Sequence, residues 1–250
     1  MSDHLELEYD LFALPTAQHR AGLAGLLVIL GCMRNSGFRD VPSEVRPRSG
    51  VVRLALTRSS LTALFNYLYD ARKEEDRTQT RRTGKTGVLL REEEEVTTDR
   101  RGKVAKRKIL IYEVVKPKAH FLEALGMPEV WVAFWRDIML RTVRSIYMQK
   151  EPYRRRVAGQ DADPPDPTWN DLTARKERSI ELSRSLFLGA ETHTADNVPF
   201  RGRPAETLLL HFWPVVMGMG EIRRLRLEKE EGGQKRRPRE ERLGYLITVP

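Results

Sequence analysis

Between Leu14 and Leu30 the chain reads LPTAQHRAGLAGLLVIL, and this run restricts the fold more than any other. Thr16, just after Pro15, is suited to cap a helix. The apolar pattern continues to about Gly31, where a glycine suits the C-terminus. Inside this helix stand Ala21, Gly22, Ala24 and Gly25. A helical glycine costs up to ~1 kcal/mol relative to alanine. Two of them imply that another backbone, or a ligand, approaches closely. Tight packing onto a sheet meets that need. So does tight packing combined with an RNA contact at the first turn, where Gln18, His19 and Arg20 lie and exposed helix amides attract phosphate. The longest apolar stretch, residues 21–33, is shorter than the ~20 residues that span a bilayer, so no membrane span is expected.

The flanking patterns place this helix in an α+β fold. Leu5, Leu7 and Tyr9 alternate with acids, as in a half-buried strand. A loop rich in Pro, Ser and Arg is expected over 35–50, a strand over Val51–Leu56 and an amphipathic helix over Ser59–Tyr69. This opening fits a ferredoxin-like or mixed sheet layer with packed helices. Residues 71–108 are strongly charged and read as a long charged hairpin, ending in a strand at Ile109–Val115 that Pro117 closes. The spacing predicts a long helix over 129–150, a loop over 158–167, a further helix from Trp169 to about Leu188, and strands over Leu208–Met217, Ile222–Leu227 and Leu243–Val249, with a turn at Gly232-Gly233. Two regions result. An N-terminal α+β domain, 1–157, carries the basic hairpin (71–108) and the long helix (129–150). A helix plus β-rich segment, 168–250, either continues the same sheet or is truncated.

Charge narrows the class of partner. With 44 Lys and Arg against 35 Asp and Glu, the formal net charge is +9. Such an excess suits a polyanion, because Lys and Arg displace the counterions that phosphates condense. Catalytic patterns are missing. TGKTG at 83–87 suggests a phosphate loop, but that motif needs a glycine where Gln79 stands. The histidines His4, His19, His120, His193 and His211 form no i, i+4 pair and no HExxH pattern, so no metal site is expected. A GxSxG elbow is also absent from the sequence. One cysteine, Cys32, excludes a disulfide framework, and the chain reads as cytoplasmic. No cofactor is expected.

Basic residues interleaved with aromatics stand out instead. Lys150, Tyr153, Arg154, Arg155 and Arg156 cluster where a helix is expected to end. Residues of this kind grip phosphates and stack on splayed bases, although cations at a helix C-terminus also simply complement its dipole. Arg81, Arg82 and Lys85, then Arg100, Arg101 and Lys103, flank the acidic run Glu92–Glu95 in the charged hairpin. Lys235, Arg236 and Arg237 form a weaker cluster.

Leu14, Pro15, Thr16, Ala17, Gln18, His19, Ala21, Gly22, Leu23, Ala24, Gly25 and Leu26, preceded by the alternating LELEYDLF, resemble the opening of the Myxan-type large subunit of type I CRISPR effector complexes (Cascade). The segment FWRDIMLRTVRSIY, 134–147, is also similar to that family. The likeness is firm over residues 1–70 and looser beyond. It implies a non-enzymatic subunit that holds the 5′ handle of the guide RNA. It also implies help in recognising the protospacer-adjacent motif in double-stranded target DNA, contacts with other Cascade subunits, and recruitment of a separate helicase-nuclease. That division of labour follows the logic of guided recognition, where base pairing reads sequence and protein reads a short motif plus backbone. Members of the family are longer, with a helical C-terminal part, so this chain is expected to be a shortened or partial large subunit. Two other classes stand beside this reading. One is a stand-alone RNA-processing nuclease with His19 as general acid-base. The other is a structural assembly protein whose charge serves protein contacts.

Overall fold

The computed structural model describes residues 4–81, 87–98, 104–141, 150–162, 167–174, 179–182, 200–226 and 239–248. The chain opens with β1 (His4–Asp10), α1 (Ala17–Asn35), β2 (Ser43–Arg48), β3 (Val51–Thr57) and α2 (Arg58–Leu68). The three strands form an antiparallel sheet of order β1-β3-β2. Alternation sets its inner face, with Tyr9, Val52, Leu54 and Leu56 buried and Arg53 outside, paired with Glu8 at 2.7 Å. Thr16 caps α1, accepting from the His19 amide. Thr57 and Ser60 form a reciprocal capping box on α2.

The first five elements therefore run βαββα, in line with the ferredoxin-like expectation, but the next strand does not return to this sheet. Instead β4 (Ala71–Thr78), β5 (Val88–Thr98) and β6 (Val104–Pro117) form a second antiparallel sheet of order β4-β6-β5. At ~3.4 Å per residue, β6 alone is roughly 45 Å long. Beyond the Thr78–Leu110 pair the ladder is two-stranded, a projecting hairpin of β5 on β6. The charged region is thus a three-stranded arm rather than a hairpin alone. Its root is clamped to α2's end. Lys118 donates its amide to the Asp70 carbonyl at 2.8 Å and its Nζ to the Asp70 carboxylate at 3.0 Å, and His120 Nε2 lies 3.1 Å from the same carboxylate.

Four helices follow: α3 (His120–Ala124), α4 (Glu129–Arg141), α5 (Lys150–Val157) and α6 (Pro167–Leu172). The short pair β7 (Ile180–Leu182) and β8 (Phe200–Gly202) precedes α7 (Pro204–Leu209) and a 3-10 turn at Trp213–Val215. The last elements are β9 (Gly218–Arg226) and β10 (Arg239–Thr248), paired antiparallel.

Residues 204–217 hold the body together. One core joins the inner face of the first sheet, α1, α2, α3, α4 and this segment. Leu209, Phe212 and Trp213 are among its fully buried side chains. Gly22 and Gly25 form the seat. A Cβ on Gly22 would stand 2.2 Å from the Leu209 carbonyl oxygen, and one on Gly25 2.1 Å from that of Phe212. The close approach expected from the two glycines is real, and the approaching chain is the backbone of a distant segment. Side chains also fasten the same segment: Tyr9 donates to the Ala205 carbonyl at 2.9 Å, and Trp135 Nε1 to that of Pro214 at 2.9 Å.

Several boundaries differ from the sequence reading. Helix α1 runs past Gly31 to Asn35, because Cys32 and Met33 continue its buried face, and the positive φ comes at Gly37. The expected loop at 35–50 contains β2, whose SEVRPR lacks alternation; as an edge strand it tolerates Pro47. Of the long helix, 129–141 is present as α4, 142–149 lie outside the described residues, and α5 begins at Lys150. The helix expected from Trp169 is only α6, since 180–182 pair as a strand with 200–202. The strand expected at Leu208–Met217 is α7 and a 3-10 turn. A short apolar run has the same appearance as buried strand or buried helix, and here Pro204 opens the helix and Pro214 is the second residue of the 3-10 turn. The Gly232-Gly233 turn lies outside the described residues.

Two predictions concern this core. Gly22→Ala and Gly25→Ala each lower unfolding stability by ~1–3 kcal/mol in urea titrations, since the added methyl meets backbone that cannot swing away. Gly31→Ala, with nothing within 4 Å, raises it by up to ~1 kcal/mol. The second concerns His211, whose Nδ1 shares a 2.7 Å hydrogen bond with Tyr69 and whose ring packs edge-on to Phe65. Burial pushes its pKa from 6.5 down to about 4. The unfolded chain takes up a proton near pH 6.5, while the folded one does not until about 4. Stability is therefore complete above 6.5 and falls with acid by at most ~1.4 kcal/mol per pH unit until pH 4. His211→Gln flattens that slope in denaturation measured across the same range.

Candidate nucleic-acid interface

The first turn of α1 is not an open anion site. Gln18 is 6% exposed and His19 3%. His19 Nδ1 shares a 2.7 Å hydrogen bond with Thr16 Oγ1. Burial lowers its pKa, partly opposed by the nearby Glu206 carboxylate. The two residues are part of the core, so the expected RNA contact through them is corrected; of this trio, Arg20 alone is exposed.

On helix α5, burial corrects the expected contact at Tyr153. Tyr153 is 3% exposed and packs edge-on to Tyr69, with centroids 5.3 Å apart, so it has no face for a base. Arg155 Nε donates to the Asp161 carbonyl at 2.8 Å, and Arg156 Nη1 to that of Gln160 at 3.0 Å. These guanidiniums tie down the loop that ends the helix, which is the dipole-complementing role. Arg154 is exposed. Lys150 opens α5, and its side chain lies outside the described residues.

The arm neutralises much of its own charge. Arg91 bridges Glu75 at 2.9 Å and Glu93 at 3.0 Å, which holds the Glu75 carboxyl below its usual range. Lys108 pairs with Glu92 at 2.5 Å and Lys106 with Glu94 at 3.5 Å. Lys73 meets Glu113, Arg77 meets Glu93, and Lys116 meets Glu74. The acidic run Glu92–Glu95 thus faces the basic start of β6 across the ladder. Cross-strand pairs of opposite charge favour this register. Arg81, exposed, follows β4. Arg82, Lys85, Arg100, Arg101 and Lys103 lie outside the described residues, as do Lys235, Arg236 and Arg237.

A basic surface that the sequence reading missed lies between α1 and the β2–β3 hairpin. A cleft of about 540 Å³ is floored by Leu11, Leu23, Leu27, Val51 and Val52 and rimmed by Arg20, Arg46 and Arg48. Among the described residues no carboxylate lines it. The nearest acid on β2, Glu44, is held by Arg34 at 2.6 Å and by Arg46 at 3.5 Å. Phe12, 78% exposed, lies over Gly50, where its ring would be 2.7 Å from an added Cβ. Gly50 has φ +77°, so the hairpin turn needs a glycine and the ring uses the space it leaves. The Phe12 amide donates to Asp10 Oδ1 at 3.0 Å, fixing that corner. The signal available in sequence was weak: Arg46 and Arg48 belong to a Pro-interrupted edge strand that resembles a loop.

Among the described residues no group of three or more His, Cys, Asp or Glu could hold a metal ion, and no helix is long and apolar enough to cross a membrane.

Comparison with known proteins gives one family. A model described as the Type I-B CRISPR Cas8b N-terminal domain matches residues 44–250. The match starts after α1, so it is separate from the residues 14–26 on which the sequence likeness rests. A search of curated proteins finds no match.

One prediction separates structure from binding at α1. Thr16→Ala removes the cap and lowers stability by ~1 kcal/mol in chemical denaturation. Nucleic-acid affinity of the folded variant stays unchanged, because Thr16 and His19 serve the helix and Arg20 the surface.

Proposed function

Since the chain belongs to the Type I-B CRISPR Cas8b N-terminal domain family, part of a Cascade large subunit that associates with other Cascade subunits, we propose that it is a non-catalytic, cytoplasmic nucleic-acid-binding element of that complex. It binds the 5′ handle of the guide RNA and helps to recognise the protospacer-adjacent motif and the opened target DNA. Its assembly presents that surface to the helicase-nuclease recruited in trans. The observation that carries this reading is the uneven compensation of charge. Carboxylates match many of the arm's cations, whereas Arg20, Arg46 and Arg48 rim a cleft that no described carboxylate lines, Arg46 alone keeping a 3.5 Å contact with Glu44. Cations of this kind attract phosphates, whose counterions are then released. The burial of His19 speaks against its use as a general acid-base on RNA, since a substrate needs that ring at hydrogen-bond reach.

Salt dependence tests the proposal. The full chain, titrated with guide RNA carrying its handle, binds more weakly as salt rises, with log K linear in log salt. Arg48→Ala lowers the slope by ~0.7–0.9, the loss of one phosphate contact. A chain with no affinity even at ~50 mM salt, where a 10–15 Å Debye length leaves surface charges felt, overturns it in favour of an assembly protein whose charge serves protein contacts.

A further inference from the structure

We infer that the cleft between α1 and the β2–β3 hairpin is a seat for one unpaired nucleotide of a single-stranded nucleic acid, with its base on the apolar floor beside Phe12 and its flanking phosphates on Arg20, Arg46 and Arg48. This rests on the nucleic-acid-binding reading above and adds which form of the polymer the cleft takes and which atoms hold it.

The chemistry of the lining carries the assignment. A duplex presents phosphates and sugars to a protein surface and keeps its base faces stacked inside. Such a ligand would satisfy the arginines but leave the half-buried Leu11 and Leu27 and the exposed Phe12 uncovered. An unstacked base supplies the missing apolar face. Single strands are bound by this combination of aromatic platforms and cationic grooves, with stacking largely indifferent to base identity. The cleft has a small-ligand volume, about 540 Å³ within the ~300–1,000 Å³ usual for such sites.

Three features make the seat a built one. Phe12 is 78% exposed at an anchored corner: Asp10 Oδ1 accepts its backbone amide at 3.0 Å, and its ring lies against Gly50 of the cleft. A large aromatic exposed on such a corner offers a face on which a base can stack. The arginines come from two elements, Arg20 from α1 and Arg46 and Arg48 from β2, and all three line the same cleft. Among the described residues no carboxylate pairs with Arg20 or Arg48, and Arg46 keeps only the long 3.5 Å contact with Glu44.

The test is fluorescence anisotropy of the full chain with labelled ~10-nucleotide single strands of RNA and DNA and with a blunt duplex of the same length. Phe12→Ala weakens single-strand binding about tenfold and leaves duplex binding unchanged, Phe12→Tyr restores it, and Arg48→Ala weakens both in a salt-dependent way. Ala24→Leu, on an exposed cleft-lining position, lowers single-strand affinity by filling the base's space. Thermal unfolding checks that each variant is folded, as expected for exposed residues. If Arg48→Ala weakens binding but Phe12→Ala and Ala24→Leu do not, the polymer crosses the surface without a base in the cleft, and this inference fails while the proposed function stands. If the duplex binds as tightly and shows the same sensitivity to Phe12→Ala, the single-strand assignment fails. If neither polymer binds at ~50 mM salt, the functional reading falls and this one with it.

Discussion

Two carbonyl oxygens lying where side chains would otherwise be organise this protein. Leu209 and Phe212 approach α1 so closely that only hydrogen atoms fit on Gly22 and Gly25. Around that contact the rest assembles. Tyr9 from the first strand and Trp135 from α4 reach the carbonyls of Ala205 and Pro214, so sheet, helices and the 204–217 segment meet at one place. Helix α1 consequently buries residues around much of its circumference, which explains an aliphatic sequence with little polar face. The glycines' helical cost is offset by the packing of Leu209, Phe212 and Trp213, which no longer face water.

How much of this could be read from residues follows from physical causes. The capped start of α1, β3, α2 and the strand around Ile109–Val115 were legible because their apolar periods are clean and their caps local. The close approach at Gly22 and Gly25 was legible, but its partner was not, since nothing near residue 22 in sequence points to residue 209. Strand β2 was invisible because an edge strand needs no alternation when both faces are wet. The turn of helix at 204–209 was misread because LLLHFWPVVM is apolar at every register. At the site, Arg20 was found and Arg46, Arg48 and Phe12 were missed. Gln18, His19 and Tyr153 were attractive as chemistry but belong to the interior, and one-dimensional patterns do not show which side of a helix is covered.

Net charge proved a coarse guide for a related reason. An excess of +9 says nothing about where a field survives. In the arm, alternation places Glu92 and Glu94 beside Lys106 and Lys108, so much of the densest charge is a cross-strand lattice that supports register. Along the α1 and β2 rim, fewer cations count for more, because Glu44, which pairs with Arg46 at 3.5 Å, is already held by Arg34. The arm and the cleft differ in compensation rather than in composition.

The glycine seat has a consequence for the order in which the chain becomes a protein. Its two halves are separated by more than 180 residues, and contacts of such long range form late. While a ribosome makes the chain at ~5–20 residues per second, α1 exists for on the order of ten seconds or more before residues 204–217 emerge. During that interval its grooved apolar side is bare, a surface that a chaperone would cover or a neighbouring nascent chain would find. Synthesis and assembly of the complex in the cell thus run through a vulnerable stage set by one distance along the sequence.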